Sequence, residues 1–188
     1  MHCPPINRHL LVSFLLAMLI MPQAFANGSE KLATQLLEVS GINTIYMQGI
    51  VAGYKKSATG TNRPTTVIGC FAAKITPRLT LRPLAIGYAT EFSDRELQAA
   101  ISFFESKSGK KYAQYQRVKS SEMFGAPSQE KEPDMTSRDL EVINAFLETR
   151  IGKLILATNS PMSATAKTIL QPQLASFHEQ CSKSAAGG

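Results

Sequence analysis

Phe92-Ser93-Asp94-Arg95-Glu96-Leu97 and Met135-Thr136-Ser137-Arg138-Asp139-Leu140 are two versions of one phrase, 43 positions apart. The register holds further on, where Phe103-Phe104-Glu105-Ser106-Lys107-Ser108-Gly109-Lys110 aligns with Phe146-Leu147-Glu148-Thr149-Arg150-Ile151-Gly152-Lys153. Arg95, Leu97, Phe103, Glu105, Gly109 and Lys110 recur unchanged, and most other positions change only within a chemical class. A repeat of this length implies one supersecondary unit used twice, each copy burying its apolar face on its neighbours. Ser93 followed by Glu96 is the pattern of a capping box at a helix start, and Thr136 with Asp139 is a weaker version of it. Leu97, Ala100, Ile101 and Phe104 then share one helical face, as do Leu140, Ile143 and Leu147. Gly109 and Gly152 are read as the breaks after these helices, with short helices following over Lys110 to about Lys119 and Lys153 to about Thr158.

The rest of the mature chain fits the same class. Leu32, Leu36, Leu37 and Val39 give an amphipathic helix, with Ser29 as a cap and a stop near Gly41. Ile42 to about Lys56 continues as a helix weakened by Gly49 and Gly53, and Ser57 to Thr66 is a loop. Val67 to Ile75 is β-rich enough for a strand, but a buried helix carrying Cys70 suits its neighbourhood better. Leu79 to Thr90 reads as a helix in which Pro83 is tolerable only in the first turn. The polar Ser128 to Asp134 stretch reads as a hinge between the copies, and Gln173 to Lys183 as a closing helix carrying Cys181. The fold expected is all-α: a single helical domain of about six to eight helices containing two approximate helix-break-helix repeats, about 92–119 and 135–158.

The first 26 residues are read as a cleaved signal peptide. Arg8 with His2 and His9 makes a basic start, Leu10 to Ile20 is apolar and uncharged, and Ala24-Phe25-Ala26 fits a small-x-small cleavage site. The apolar run falls short of the roughly 20 residues that span a bilayer, and Cys3 precedes it, the wrong place for a lipidated first residue. The domain is then 27–188, long enough for a real core. Loss of Arg8 lowers the formal charge from +6 to +5. A basic exported protein meets anionic lipid and cell-wall polymers before it meets nucleic acid, although ordinary solubility also accounts for such a balance. Two cysteines remain, Cys70 and Cys181, most simply one disulfide in an oxidising compartment. The expected location is the periplasm, as a soluble protein without a transmembrane anchor after cleavage.

Tyr88-x-x-x-Phe92-Ser93-x-x-Glu96-Leu97 followed by Phe103-Phe104-x-Ser106-x-x-Gly109-x-Lys111 resembles the exported bacterial proteins that share domain of unknown function 2059. The resemblance covers about residues 31 to 120 and is most specific from 88 to 112; Lys107 stands where family members often have proline. It implies an all-helical periplasmic fold and brings no assigned catalytic residues.

Usable chemistry is sparse. His178 is the one histidine after position 26, and no Gly-x-Ser-x-Gly elbow exists to serve a triad. His178-Glu179-Gln180-Cys181 lacks the second histidine of a zinc motif, so neither a metal nor a cofactor is expected. Ser108 to Lys111 and Ser128 to Lys131 have the Ser-x-x-Lys spacing of penicillin-binding enzymes without its companion motifs. Glu105 is the weak candidate for a general acid, by a superficial likeness to helical lysozyme-type enzymes, but Glu148 fills the same place in the second copy. A carboxylate at a helix C-terminus opposes the dipole, so a structural pairing with Lys110 or Lys153 is the preferred reading. Lys110, Lys111, Tyr115, Arg117 and Lys119 interleave cations with an aromatic and form the candidate partner-binding face, although a solvated face has the same composition. The favoured function is a non-enzymatic periplasmic protein that binds a protein partner or an anionic envelope component through its helical surface, not nucleic acid. The alternatives are a peptidoglycan-cleaving enzyme using one glutamate, and an apolar-ligand carrier, since space between packed helices can hold lipid.

Overall fold

The computed structural model describes residues 28–60, 63–125, 128, 130–155, 157 and 160–186. Every regular element among them is an α-helix: α1 (28–40), α2 (Ile42–Thr59), α3 (Thr65–Lys74), α4 (Pro77–Glu91), α5 (Asp94–Glu105), α6 (Lys107–Met123), α7 (Ser137–Leu147), α8 (Arg150–Ile155) and α9 (Pro161–Ala186). The described residues thus carry nine helices, one above the upper end of the six to eight expected. The expected signal peptide lies outside the described residues, as does the Thr158 end of the last short helix.

The two repeated phrases each open a helix with a reciprocal capping box. Glu96 N–H donates to Ser93 Oγ at 3.4 Å while Ser93 N–H donates to Glu96 Oε2 at 2.9 Å. Asp139 N–H donates to Thr136 Oγ1 at 3.2 Å and Thr136 N–H to Asp139 Oδ2 at 3.0 Å. Two backbone donors that a helix start leaves unpaired are satisfied each time.

The glycines do not break these helices, as their spacing suggests. Ser106 alone separates α5 from α6, and Glu148-Thr149 separate α7 from α8. Ser106 Oγ accepts from Gly109 N–H at 3.0 Å and Thr149 Oγ1 accepts from Gly152 N–H at 3.1 Å, so each hydroxyl caps the next helix. Gly109 and Gly152 lie in the first turns of α6 and α8, pressed onto the helix just finished. A Cβ at 109 would stand 1.9 Å from the Phe103 carbonyl oxygen, and one at 152 would stand 2.1 Å from that of Phe146. The requirement is steric: neither glycine has a positive φ.

Phe103 and Phe146, equivalent in the two phrases, stack with ring centroids 3.9 Å apart and planes 6° from parallel. Phe104 meets Phe146 edge-on at 5.5 Å, and Tyr112 closes the group. Around them Leu36, Leu37, Leu84, Leu97, Ile101 and Met162 are fully buried, each contributing about 1.5–3 kcal/mol. The second copy buries less of its expected face. Ile143 and Phe146 are inside, Leu147 is half-buried, and Leu140 is 48% exposed where Leu97 is 0%. α7 packs on α6 and α8, and its Leu140 side is left uncovered.

A second apolar cluster joins α3 to α9 through Val67, Phe71, Ile75 and Cys181, flanked by Ile50, Tyr54 and Phe177. Cys70 and Cys181 form the expected disulfide, with Cα atoms 5.7 Å apart across 111 positions. Closing so long a loop stabilises by about 4–5 kcal/mol in the chain-entropy account. The stretch read as Val67 to Ile75 is helical up to Lys74, as its surroundings suggest, with Ile75 extended beyond it, and Gly41 ends α1 with φ 72°. Ser29 lies inside α1, bonding the Asp94 carboxylate, so it is not a cap. Pro83 also departs from expectation, since α4 starts at Pro77 and carries Pro83 in its buried interior. α4 packs along the length of α9, and that burial outweighs the lost backbone bond.

The joint predicts opposite effects of one substitution type. Gly109→Ala should destabilise by about 3 kcal/mol, the upper end of overpacking costs. Gly53→Ala, in open space within α2, should stabilise by about 0.5–1 kcal/mol. Chemical denaturation measures both, and a Gly109→Ala protein as stable as wild type would refute the close approach.

Candidate functional site

The candidate cations lie on α6, and most of them face the chain's own connection between repeats. From 130 to 136 the backbone runs along α6 in the opposite direction. Arg117 holds Glu130 through two nitrogens, at 2.9 and 2.8 Å; Gln114 donates to the Lys131 carbonyl at 2.8 Å; Lys111 donates to the Asp134 carbonyl at 2.7 Å. Lys119 Nζ sits 2.8 Å from Glu132 and 3.3 Å from Glu122, over the Tyr115 ring at 5.7 Å. The stretch read as a hinge is therefore a strap. The Arg117 guanidinium lowers the pKa of Glu130, and hydrogen bonds from Lys119 to Glu132 and Glu122 raise that of the lysine. Exposed pairs of this kind contribute roughly 0–1 kcal/mol each, so the strap depends on the set.

Asp139 is the centre of the arrangement, and composition gave it the smaller role. Besides capping α7 it accepts from Lys111 Nζ at 2.6 Å and from Ser108 Oγ at 2.8 Å, with 5% of its surface exposed. The Ser108-x-x-Lys111 spacing, one turn of α6, thus brings a hydroxyl and an ammonium onto one carboxylate from the second copy. Lys111, then Ser108 and Thr136, hold the Asp139 carboxyl well below the usual carboxylate range. Ser108 is buried and its hydroxyl donates a hydrogen bond to Asp139, so this contact serves the packing of α6 on α7.

Lys110 projects from the same helix without an ion pair or side-chain hydrogen bond among the described residues, and so does Lys107. Arg138 is exposed in the same condition beside Asp139. Lys107 and Arg138 are the sequence neighbours of the hydrogen-bonded Ser108 and Asp139, which puts unpaired positive charge where α6 crosses α7.

Glu105 is exposed and accepts from Gln35 Nε2 at 3.3 Å, not from Lys110. It lacks the dry surroundings that a general acid uses. Its counterpart Glu148 does pair with Lys153, at 2.8 Å, which lowers the Glu148 pKa. His178 Nδ1 lies 2.7 Å from the Tyr54 hydroxyl, in the cluster that surrounds the disulfide. No group of three or more His, Cys, Asp or Glu suited to a metal occurs among the described residues, and no described helix is long and apolar enough to cross a membrane.

Two apolar spaces flank the aromatic group. One, of about 240 Å³, lies among Ile45, Phe104, Tyr112 and Phe124. The other, of about 310 Å³, lies between the first turns of α5 and the α7–α8 joint, with Arg95 and Arg150 at its edge. In the sequence Arg95 stands out only as a repeated position, and nothing in composition marked the apolar wall of the second. The chain matches no family model, no curated protein and no solved structure.

Acid unfolding tests the role assigned to Asp139. Folding lowers its pKa, so on acidification the unfolded chain takes up the proton first. Its stabilisation is complete above about pH 4 and declines below it. Asp139→Asn should melt lower at pH 7 by at least the roughly 2–4 °C that one lost cap represents at this length. The difference from wild type should shrink as the pH approaches 2, whereas a constant difference would remove Asp139 as the titrating group.

Proposed function

We propose that the chain is an exported, non-enzymatic periplasmic protein that binds a protein partner or an anionic envelope component through its helical surface, centred on Lys107, Lys110 and Arg138. The observation that carries this reading is the division of the cations. Lys111, Arg117 and Lys119 are matched by carboxylates of the strap and of α6 and α7. Lys107, Lys110 and Arg138 are exposed and unmatched. The formal excess of +5 over the exported chain favours association with anionic groups, and the unpaired cations where α6 meets α7 offer a place for it. Tyr115, Arg117 and Lys119 then act indirectly, by holding the strap that fixes α7 on α6.

Export is supported by the leader pattern, by the disulfide and by the resemblance to the proteins sharing domain of unknown function 2059.

The test uses one protein and two kinds of anionic target: a pull-down from a periplasmic extract, and co-sedimentation with vesicles rich in phosphatidylglycerol. Lys107→Glu with Lys110→Glu should weaken binding about ten-fold or more and flatten its salt dependence, with little change in stability. Arg117→Gln with Lys119→Gln should change binding much less. Wild-type binding by the Lys107/Lys110 variant to both targets would overturn the assignment.

A further inference from the structure

The 310 Å³ recess between α5 and the α7–α8 joint is walled by Ala99, Ala100, Phe146 and Ile151. Of these, Ala100, Phe146 and Ile151 are buried, so the wall belongs to the aromatic core and is formed by both copies of the repeat. The volume is about twice the roughly 150 Å³ that accommodates a benzene ring, and it falls at the small end of ligand pockets.

Its rim carries the Glu96 carboxylate, which Arg150 neutralises, and two guanidiniums of different status. Arg150 is fully engaged: it pairs with the Glu91 carboxylate, donates to Glu91 O at 3.1 Å and to Glu96 Oε1 at 3.1 Å, and lies over the Phe92 ring at 5.1 Å. It fixes the α8 start against the ends of α4 and α5 and so shapes the recess. Arg95 has no ion pair or hydrogen bond among the described residues. The acidic residues on either side of it are committed elsewhere, Asp94 to Ser29 and Glu96 to Ser93 and Arg150. A cation in the first turn of a helix also opposes the dipole. Arg138, its equivalent, is likewise unpartnered, so the recurrence is not explained by a shared internal contact.

We infer that this recess is a binding site for an amphipathic carboxylate, whose short apolar body enters between Ala99, Phe146 and Ile151 while its carboxylate takes the fork of Arg95. A guanidinium matches a carboxylate with two parallel hydrogen bonds, and the apolar wall rejects the hydrated head group that a simple anion would bring. The same chemistry occurs in a medium-chain fatty acid and in an arylalkanoic acid.

Isothermal titration with decanoate below its micellar range and with 4-phenylbutyrate separates those two sources, and decanol serves as the neutral control. At least one acid should bind saturably with one site per chain. Arg95→Gln should weaken that acid about ten-fold or more and leave decanol unchanged. Ala99→Phe, at an exposed position, should remove acid and alcohol alike while circular dichroism and melting stay as in wild type. Absence of saturable binding by both acids, or undiminished binding in Ala99→Phe, would overturn the site. Neither result touches the Lys107/Lys110 surface, whose variants should bind decanoate normally.

Discussion

The first turn of α6 sits so close on the end of α5 that position 109 has no room for a side chain, and the start of α8 repeats this at position 152. That contact governs the rest. With one residue between α5 and α6, the chain must turn at Ser106, whose extended backbone and hydroxyl start the new helix at once. The turn leaves Phe103 and Phe104 on its inner side, where Phe103 stacks on Phe146 from the corresponding turn of the second copy. The aromatic core is thus built by two joints facing each other, and the recess beside Arg95 is space left between α5 and the second joint.

The same joint aligns the polar contacts. Starting α6 at Lys107 places Ser108 and Lys111 one turn apart, toward Asp139 of the second copy, and the strap then follows the remaining cations of α6. Asp139 connects the levels: it caps α7, receives a hydroxyl and an ammonium from α6, and ties the two copies through a carboxylate held ionised. Buried ion pairs contribute little on balance compared with apolar packing, but removing one partner leaves an uncompensated charge. The cluster is therefore better read as fixing how α7 sits on α6 than as a source of net stability.

Much of this was legible in the sequence where the signal is local. Capping boxes at Ser93 and Thr136, the αL stop at Gly41 and the helix character of nearly every segment follow from residue chemistry within a few positions. The disulfide followed from arithmetic once the leader was set aside, since Cys70 and Cys181, the two cysteines after position 26, had one possible pairing. What failed was information carried by neighbours distant in sequence. Periodicity put Leu140 on an apolar face but could not say that nothing covers it. Pro83 looks like a helix boundary until α9 packs along it. The cations of α6 looked like one surface because their partners, Glu130, Glu132 and Asp139, lie more than a dozen positions away and become neighbours only when the strap folds back. Gly109 was recognised as special for the wrong reason: its spacing suggests a stop, whereas the lack of a side chain is what allows the next helix to begin there.

Native-state hydrogen exchange at the Gly109 and Gly152 amides tests the joints most directly. Both amides lie in first helical turns, where exchange is ordinarily fast, and both donate to a capping hydroxyl at a buried joint. If the joints hold the core, these two amides exchange only through global or near-global unfolding, with protection close to that of Ile101 and Phe104 in α5. Exchange at the rate of an ordinary frayed helix start would show that the joints open independently, and would contradict the account.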